Sequence, residues 1–509
     1  MESRHALMRT YRRKLEKCFQ QADWPLLLFL VLFLNVKLYV KAAAVILAVC
    51  IHWKTWKGHD SRNAEGPSWQ KFYVSMLLLA MINALPSVRG MSLQAWMAFG
   101  LGCVYWLLAI AAARLVFLFV RRGDKQKIHA TLTFFFLLNA GVMLLSLVRV
   151  CIRAGVFNPY NYEGEHRRFF ISTGDLITGI GLDGSVTAAL TGAFGVLYFL
   201  YRGRRGNALL CYVTTLLATS NAVNYLLGVV LVMVLLLYSD RLQKSMVIIF
   251  LGMLVIFSAK VSPSNQQYAS NLLGRVTGRN AYEEPVPIPN AKWTEFVESR
   301  SMTEKEDKLH ACMDRLYLPG QVDSMKRQYT GWRFSGRKIA WEDLGRFYRE
   351  HPGRLWLGTG MGNFSSQLAF RTTGLGIQGG YPLQWAYIHP FFREHYLFIY
   401  LYYHSRDEGQ HSVINKPDSV YGQVLAEYGL AGIGCFFVFY LGFWGRVCWR
   451  RPVRSVPRSY GLPLLLLMAG AFFTEYWFEQ LSVVILFELL MLLDKESTGM
   501  EKCIPKSPY

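Results

Sequence analysis

Residues 94–116 read QAWMAFGLGCVYWLLAIAAARLV, 23 residues carrying one charge, Arg114. Crossing a bilayer takes about 20 mostly apolar residues in a helix, which satisfies its own backbone hydrogen bonds in the hydrocarbon. The same test moved outward finds eleven further windows: 24–37, 39–53, 70–87, 129–150, 184–201, 206–219, 222–238, 245–259, 420–444, 460–474 and 478–493. Several are shorter than a full span and call for tilt, snorkelling flanks or burial among neighbours. Of the 509 residues 52% are apolar and only 17% charged, against about 25% charged in an ordinary soluble domain. A soluble enzyme and a disordered chain are thereby excluded. The expectation is an all-α polytopic membrane protein of about 12 transmembrane helices.

Charge sets the expected orientation, because Lys and Arg favour cytoplasmic loops. Six of them precede Trp24 and five lie in 446–458. With the N-terminus inside, those segments and the tail fall on the cytoplasmic face. The chain then divides into a basic arm (1–23), nine spans (24–259, with a small outer loop at 151–183), a large outer loop (260–419), three spans (420–493) and a cytoplasmic tail (494–509). The net charge of +21 is read as topology and contact with phospholipid, not as a nucleic-acid surface. Nine scattered cysteines make neither a disulfide framework nor a zinc spacing. A bacterial inner membrane fits, and no cleavable signal is visible.

The insertion 260–419 is too long to be structureless and is expected to fold and carry the function. Its first half is polar, with Pro285, Pro287 and Pro289 in an irregular stretch and helix over 292–316. In the second half Ser335 can cap a helix from Gly336 to about Glu350, ended by His351-Pro352-Gly353. Ile339, Ala340, Trp341, Leu344, Phe347 and Tyr348 recur at three and four, so one face is buried against protein or the membrane surface. Arg337 lies in the first turn, where a cation opposes the helix dipole unless an anion shares the site; an arginine beside free N–H groups makes a phosphate receptor.

Gly358, Gly360 and Gly362 alternate in the stretch Leu357–Asn363, which is expected to form a tight turn rather than a nucleotide loop, since no Lys-Ser/Thr follows. The tenth span opens at Pro417-Asp418-Ser419, with Asp418 or Ser419 as helix cap. Glu427 lies about 13 Å along that helix, where an unpaired charge is expensive and an arginine of the loops is the expected partner. Gly429 and Gly432 allow close helix approach.

Ser335-Gly336-Arg337, then His351-Pro352 with Gly358-Thr359-Gly360 and Asn363-Phe364, then Tyr421 with Glu427-Tyr428-Gly429-Leu430-Ala431-Gly432 resemble, in that order, the signature of the O-antigen ligase and O-antigen polymerase superfamily. The motifs cover 335–432; the expected topology, with one large outer loop before the tenth span, extends the likeness along the chain. The resemblance implies a GT-C-like, metal-independent glycosyltransferase with no cofactor, working on undecaprenyl-pyrophosphate-linked donor and acceptor glycans at the periplasmic face. Other glycan-assembly proteins, a flippase and a chain-length regulator, would be its neighbours. It implies arginines on the pyrophosphate, with Arg337 at the large-loop position, and a residue before the tenth span that activates the acceptor hydroxyl. That residue is usually His and is here Asp418. At the outer start of the eighth span, Ser220-Asn221-Ala222 replaces the family's Ser-Arg-Gly. Both departures favour the polymerase branch over the ligase.

The chemistry asks for a base near the acceptor oxygen and positive charge where the diphosphate departs. Asp418 is the candidate base, with His411 in reserve among His389, His395, His404 and His411. A helix N-terminus would make Asp418 a better cap and a weaker base unless burial offsets it. Arg167 and Arg168 on the small outer loop are added to Arg337 as pyrophosphate ligands. A lipid-linked sugar transporter without chemistry is the reading from a different class.

Overall fold

In the computed structural model of the protein, residues 21–35, 37–51, 68–161, 177–181, 184–237, 240–262, 297–318, 320–321, 325, 336–376, 380–404, 416–449 and 459–500 are described. All regular structure among them is helical. The first group comprises α1 (Trp24–Phe33), α2 (Leu38–Ile51), α3 (Ser68–Ala84), α4 (Leu93–Arg122), α5 (Lys125–Ala154), α6 (Ser185–Tyr201), α7 (Arg205–Leu217), α8 (Asn221–Leu237) and α9 (Arg241–Ile256). Then follow α10 (Val297–Leu316), α11 (Gly336–Glu350), α12 (Gln367–Thr372) and α13, which is Pro390–Phe392, Arg393–Leu397 and Phe398–His404 in succession. The last group is α14 (Val420–Trp449), α15 (Gly461–Ala471), α16 (Trp477–Gln480) and α17 (Ser482–Met500).

Within the described residues each of the twelve apolar windows coincides mainly with helix, the last divided between α16 and α17 by Leu481 at φ 60°. Among the described residues, five helical segments, Trp69–Gly90, Leu93–Arg122, Lys125–Ile152, Arg241–Val261 and Val420–Trp449, are long and apolar enough to cross a membrane. The architecture is all-α and compatible with a membrane protein; twelve crossings remain an expectation beyond that.

Local chemistry sets the helix ends. Ser92 accepts from Ala95 N–H to start α4, and Asp124 accepts from Gln126 N–H to start α5, two residues after Arg122 which, with Arg121, closes α4. Gly155, at φ 64°, ends α5 in the left-handed conformation that a glycine adopts without a Cβ penalty. Asp240 and Gln243 form a reciprocal capping box on α9. Every residue of α6 except Val186 is buried. A helix apolar on all sides belongs in the middle, and α6 accordingly packs against α5, α7, α8 and α17.

Where α3, α14, α15 and α16 meet, Phe72, Phe436, Tyr440, Phe472 and Phe478 interlock with ring centroids 4.9–6.1 Å apart, mostly in the tilted and edge-on geometries that aromatic quadrupoles favour. Lys41, 2% exposed, donates to the carbonyls of Phe33 and Gln480. It thereby satisfies carbonyls at the C-terminal ends of α1 and α16, which otherwise lack intrahelical partners.

The helices between the two apolar groups build a second core: Leu309 and Met313 of α10, Ile339, Leu344 and Phe347 of α11, and Phe392, Tyr396 and Leu397 of α13. The expected helix Gly336–Glu350 is present with its predicted face inward, and that face is covered by protein, chiefly α13 and α14. The Tyr348 hydroxyl donates to Leu425 O at 2.5 Å, tying α11 to α14.

Candidate functional site

The site begins at a break in α14. Gly429, at φ 63° and ψ −159°, is non-helical, so the helix stops hydrogen-bonding to itself around 426–431. The residues from Leu355 to Gly360 take up the freed groups. Thr359 N–H donates to Ala426 O at 3.0 Å and Gly360 N–H to Glu427 O at 2.9 Å, while Leu430 N–H donates to Leu355 O at 2.9 Å and Ala431 N–H to Trp356 O at 3.0 Å. Such exchange is what a buried break requires, because an unpaired backbone group in an apolar setting costs about as much as a lost hydrogen bond.

Gly358 and Gly429 are the two points of closest approach. A Cβ on Gly358, at φ 76°, would lie 2.5 Å from Glu427 C; one on Gly429 would lie 2.6 Å from Gly358 N and Leu355 O. Asn363 braces the turn by donating from Nδ2 to Thr359 O at 2.9 Å, and Asn83 of α3 donates to Leu357 O. The glycine-rich stretch is thus the tight turn read from the sequence, and the N–H groups of Gly358, Thr359 and Gly360 are occupied by protein carbonyls rather than turned outward for a phosphate.

Glu427 is 1% exposed, and among the described residues its carboxylate faces backbone N–H groups and a hydroxyl rather than an arginine, which corrects the expectation. The N–H groups of Gly362, Phe364 and Ser365 and the Ser366 hydroxyl turn toward its carboxylate, although Oε1 lacks a partner at full hydrogen-bond geometry. Backbone dipoles take the place of the cation. Gly429 admits the loop rather than a second helix, a further correction, and Gly432 packs against Tyr428 and Val424 of its own helix. Tyr421 donates to Ala469 O at 3.0 Å and lies 4.3 Å from the Phe473 ring, a packing position.

At the head of α14 the cap is Ser419, whose side chain accepts from Gly422 N–H. Asp418 is one residue outside, 2% exposed, and both its oxygens are engaged. Oδ1 accepts from Tyr400 OH at 2.5 Å and Oδ2 faces Lys416 Nζ at 2.7 Å. The same ammonium donates to both oxygens of Glu475 at 2.8 Å. Tyr400 and Tyr476 hydroxyls are 2.6 Å apart, and Tyr396 OH donates to Pro417 O at 2.9 Å. Tyr400 has one proton, so it donates to Asp418 and accepts from Tyr476.

Burial raises the Tyr396 hydroxyl; the Asp418 charge adds to that and the Arg337 charge opposes it. Two of the sequence candidates, Arg337 and Asp418, therefore act on one phenol. Burial alone would lower the Lys416 ammonium, but Asp418 and Glu475 outweigh it and its pKa is raised. Burial pushes the Glu475 carboxyl up to about 7, with Lys416 opposing and Asp418 adding to the rise.

A second polar group lies alongside. Glu479 accepts from Leu368 N–H at 3.0 Å and from Gln423 Nε2 at 2.8 Å, and Arg371 donates from Nη1 to Tyr105 OH at 2.6 Å.

Of the histidines, His389 uses Nδ1 to accept from Phe391 N–H at 3.2 Å, and burial, reinforced by Arg354, pushes it down to about 4. His395 lies among rings, with Phe347 at 5.3 Å and Phe364 at 5.8 Å, and burial lowers it. Arg167, Arg168, His411 and Ser335 lie outside the described residues, as does the His404 side chain.

Sequence reasoning missed Lys416, Glu475 and Glu479. The available signal was the pair of acids where two apolar windows adjoin, Glu475 between them and Glu479 inside the second, where an ionisable group is expensive unless it is partnered. The fold and this cluster define a class: an all-α protein with membrane-length helices and a buried acid–base group beside a broken helix. No family model, no curated protein and no solved structure matches the chain.

Proposed function

We propose that the protein is an integral-membrane glycosyltransferase of the bacterial inner membrane. In this reading it polymerises undecaprenyl-pyrophosphate-linked repeat units at the periplasmic face into O-antigen, capsular or exopolysaccharide. The observation that carries the reading is that Arg337, on a helix packed against α14, and Asp418 of the buried Asp418–Lys416–Glu475 group both act electrostatically on the Tyr396 hydroxyl, while Tyr400 donates to Asp418. Glycosyl transfer from a lipid pyrophosphate needs those two things close together: a guanidinium for the departing diphosphate and a carboxylate near the acceptor hydroxyl. The stitched glycine turn supports it by fixing the entry to α11's end against α14, since a positioned site needs rigid support.

The test uses purified full-length protein in detergent with synthetic lipid-linked repeat units. A ladder of products is expected. A single product on a lipid A–core or protein acceptor would make the protein a ligase, and no product with any lipid-linked donor would overturn the reading.

Arg337→Ala is expected to lower turnover by about 10²- to 10³-fold, the range for removing one preorganised donor to developing charge, while the protein still purifies as a folded monodisperse species. Arg337→Lys should recover little, because an ammonium lacks the planar fork that grips a phosphate bidentately. Unchanged glycan length and amount in cells carrying Arg337→Ala would remove this residue from the site.

A further inference from the structure

The two carboxylates on Lys416 are not equivalent. Asp418 has one oxygen on a phenol and the other on the ammonium, and its side chain is 3% exposed. Glu475 leans on Lys416 with both oxygens, lies against the Asp418 carboxyl, and has a long contact, 3.5 Å, from Gln480 Nε2; its side chain is 11% exposed. An ammonium has three protons to give, and all three are spent on two carboxylates, leaving one negative charge in excess. Asp418 is the better-solvated anion, through its phenol. The excess therefore falls on Glu475, at the more accessible edge of the group. The other titratable groups facing it are Asp418, Tyr400, Tyr403 and Tyr476.

Resting on the proposed transfer reaction, we infer that Glu475, rather than Asp418, is the proton acceptor for the attacking hydroxyl, with Lys416 and Asp418 as positioning residues. In the step the hydroxyl proton passes to the Glu475 carboxylate and the oxygen bonds to the anomeric carbon. The bond from that carbon to the pyrophosphate oxygen breaks, and its electron pair leaves with the diphosphate. Burial lifts Glu475 to about 7, close to the pH at which a general base combines a useful deprotonated fraction with proton affinity.

The test is the pH dependence of single-turnover transfer by the full-length protein from a synthetic undecaprenyl-pyrophosphate-linked repeat unit. The wild-type rate is expected to rise with pH through about 7 and level off. Glu475→Gln should lose about 100-fold or more together with the rising limb. Glu475→Asp, which keeps a carboxylate, should retain a limb displaced in pH, and Asp418→Asn should also retain a limb, moved to lower pH because the Asp418 charge adds to the rise of Glu475. If Glu475→Gln does not fold, Glu475→Asp decides: an undisplaced limb overturns the inference. A wild-type limb persisting in Glu475→Gln also overturns it and leaves the transfer reading intact, whereas a wild-type protein without product overturns both.

Discussion

Lys416→Met is expected to destabilise the protein by about 3–5 kcal/mol, the cost of removing one partner from a buried charge group. The reason is the arithmetic of the cluster. Lys416 is the cation that Asp418 and Glu475 share, and its side chain is 17% exposed. Without it, two carboxylates face each other across a buried space. The deficit should shrink in acid. Glu475 already holds its proton more tightly in the folded state than the ordinary 4.5, at about 7. Between those values the folded protein binds more protons than the unfolded chain, so this group's contribution is present at low pH and is lost as pH rises through about 7. Removing Lys416 takes away what opposes that rise, so the variant's loss of stability with pH should be steeper than the wild type's. Thermal unfolding in detergent at about pH 5 and about pH 8 measures the difference. Adding Glu475→Gln and Asp418→Asn to Lys416→Met should recover most of the melting temperature. A triple variant no more stable than Lys416→Met would show that the cost lies in packing rather than charge.

The elements were legible in the sequence because each is a local pattern. The apolar windows, the stop at His351-Pro352-Gly353 and the three-four periodicity of Ile339, Leu344 and Phe347 can be read within a few residues of one another. The site was legible only where a single residue advertised its own expense. Glu427 did so, being a carboxylate nine residues into an apolar helix, yet its partner was misread as an arginine. Backbone N–H groups at 362–365 bear no mark in a sequence, although they do the electrostatic duty of a cation. Lys416 and Glu475 are 59 positions apart, and each alone looks like an ordinary charge in a loop or turn. Only the fold brings them together, through Val420 N–H donating to Phe472 O at 2.9 Å, which pins the head of α14 to the end of α15. The pairing of Gly358 with Gly429 was invisible for the same reason: each glycine could be recognised as unusual, but not that they face each other.

That pairing carries the other large effect. Gly358→Val should prevent accumulation of folded protein, a loss beyond the roughly 4–5 kcal/mol that marks exceptional single substitutions. Two costs combine. At φ 76° a β-branched side chain is strained wherever it is placed. Its Cβ would also meet Glu427 C at 2.5 Å and Tyr428 N at 2.6 Å, backbone atoms that cannot swing aside as a side chain would. Relief requires the loop to lift, and lifting it unpairs the carbonyls of Ala426 and Glu427 and the N–H groups of Leu430 and Ala431 together. Gly429→Ala, approaching the same contact from the helix side, should fail similarly, with a Cβ 2.6 Å from Leu355 O. Two other glycines separate the causes. Gly376 shares the left-handed conformation, at φ 73°, but has open space around its Cβ position, so Gly376→Ala should cost only the strain of about 1–2 kcal/mol. Gly345 lies within α11 with no neighbour in reach, and Gly345→Ala should be neutral or stabilising by up to about 1 kcal/mol. Fluorescence-detected size-exclusion chromatography of the four variants ranks them. A folded Gly358→Val protein would mean that the loop and the broken helix are not bound as tightly as this interlock requires, and the rigid support proposed for the site would go with it.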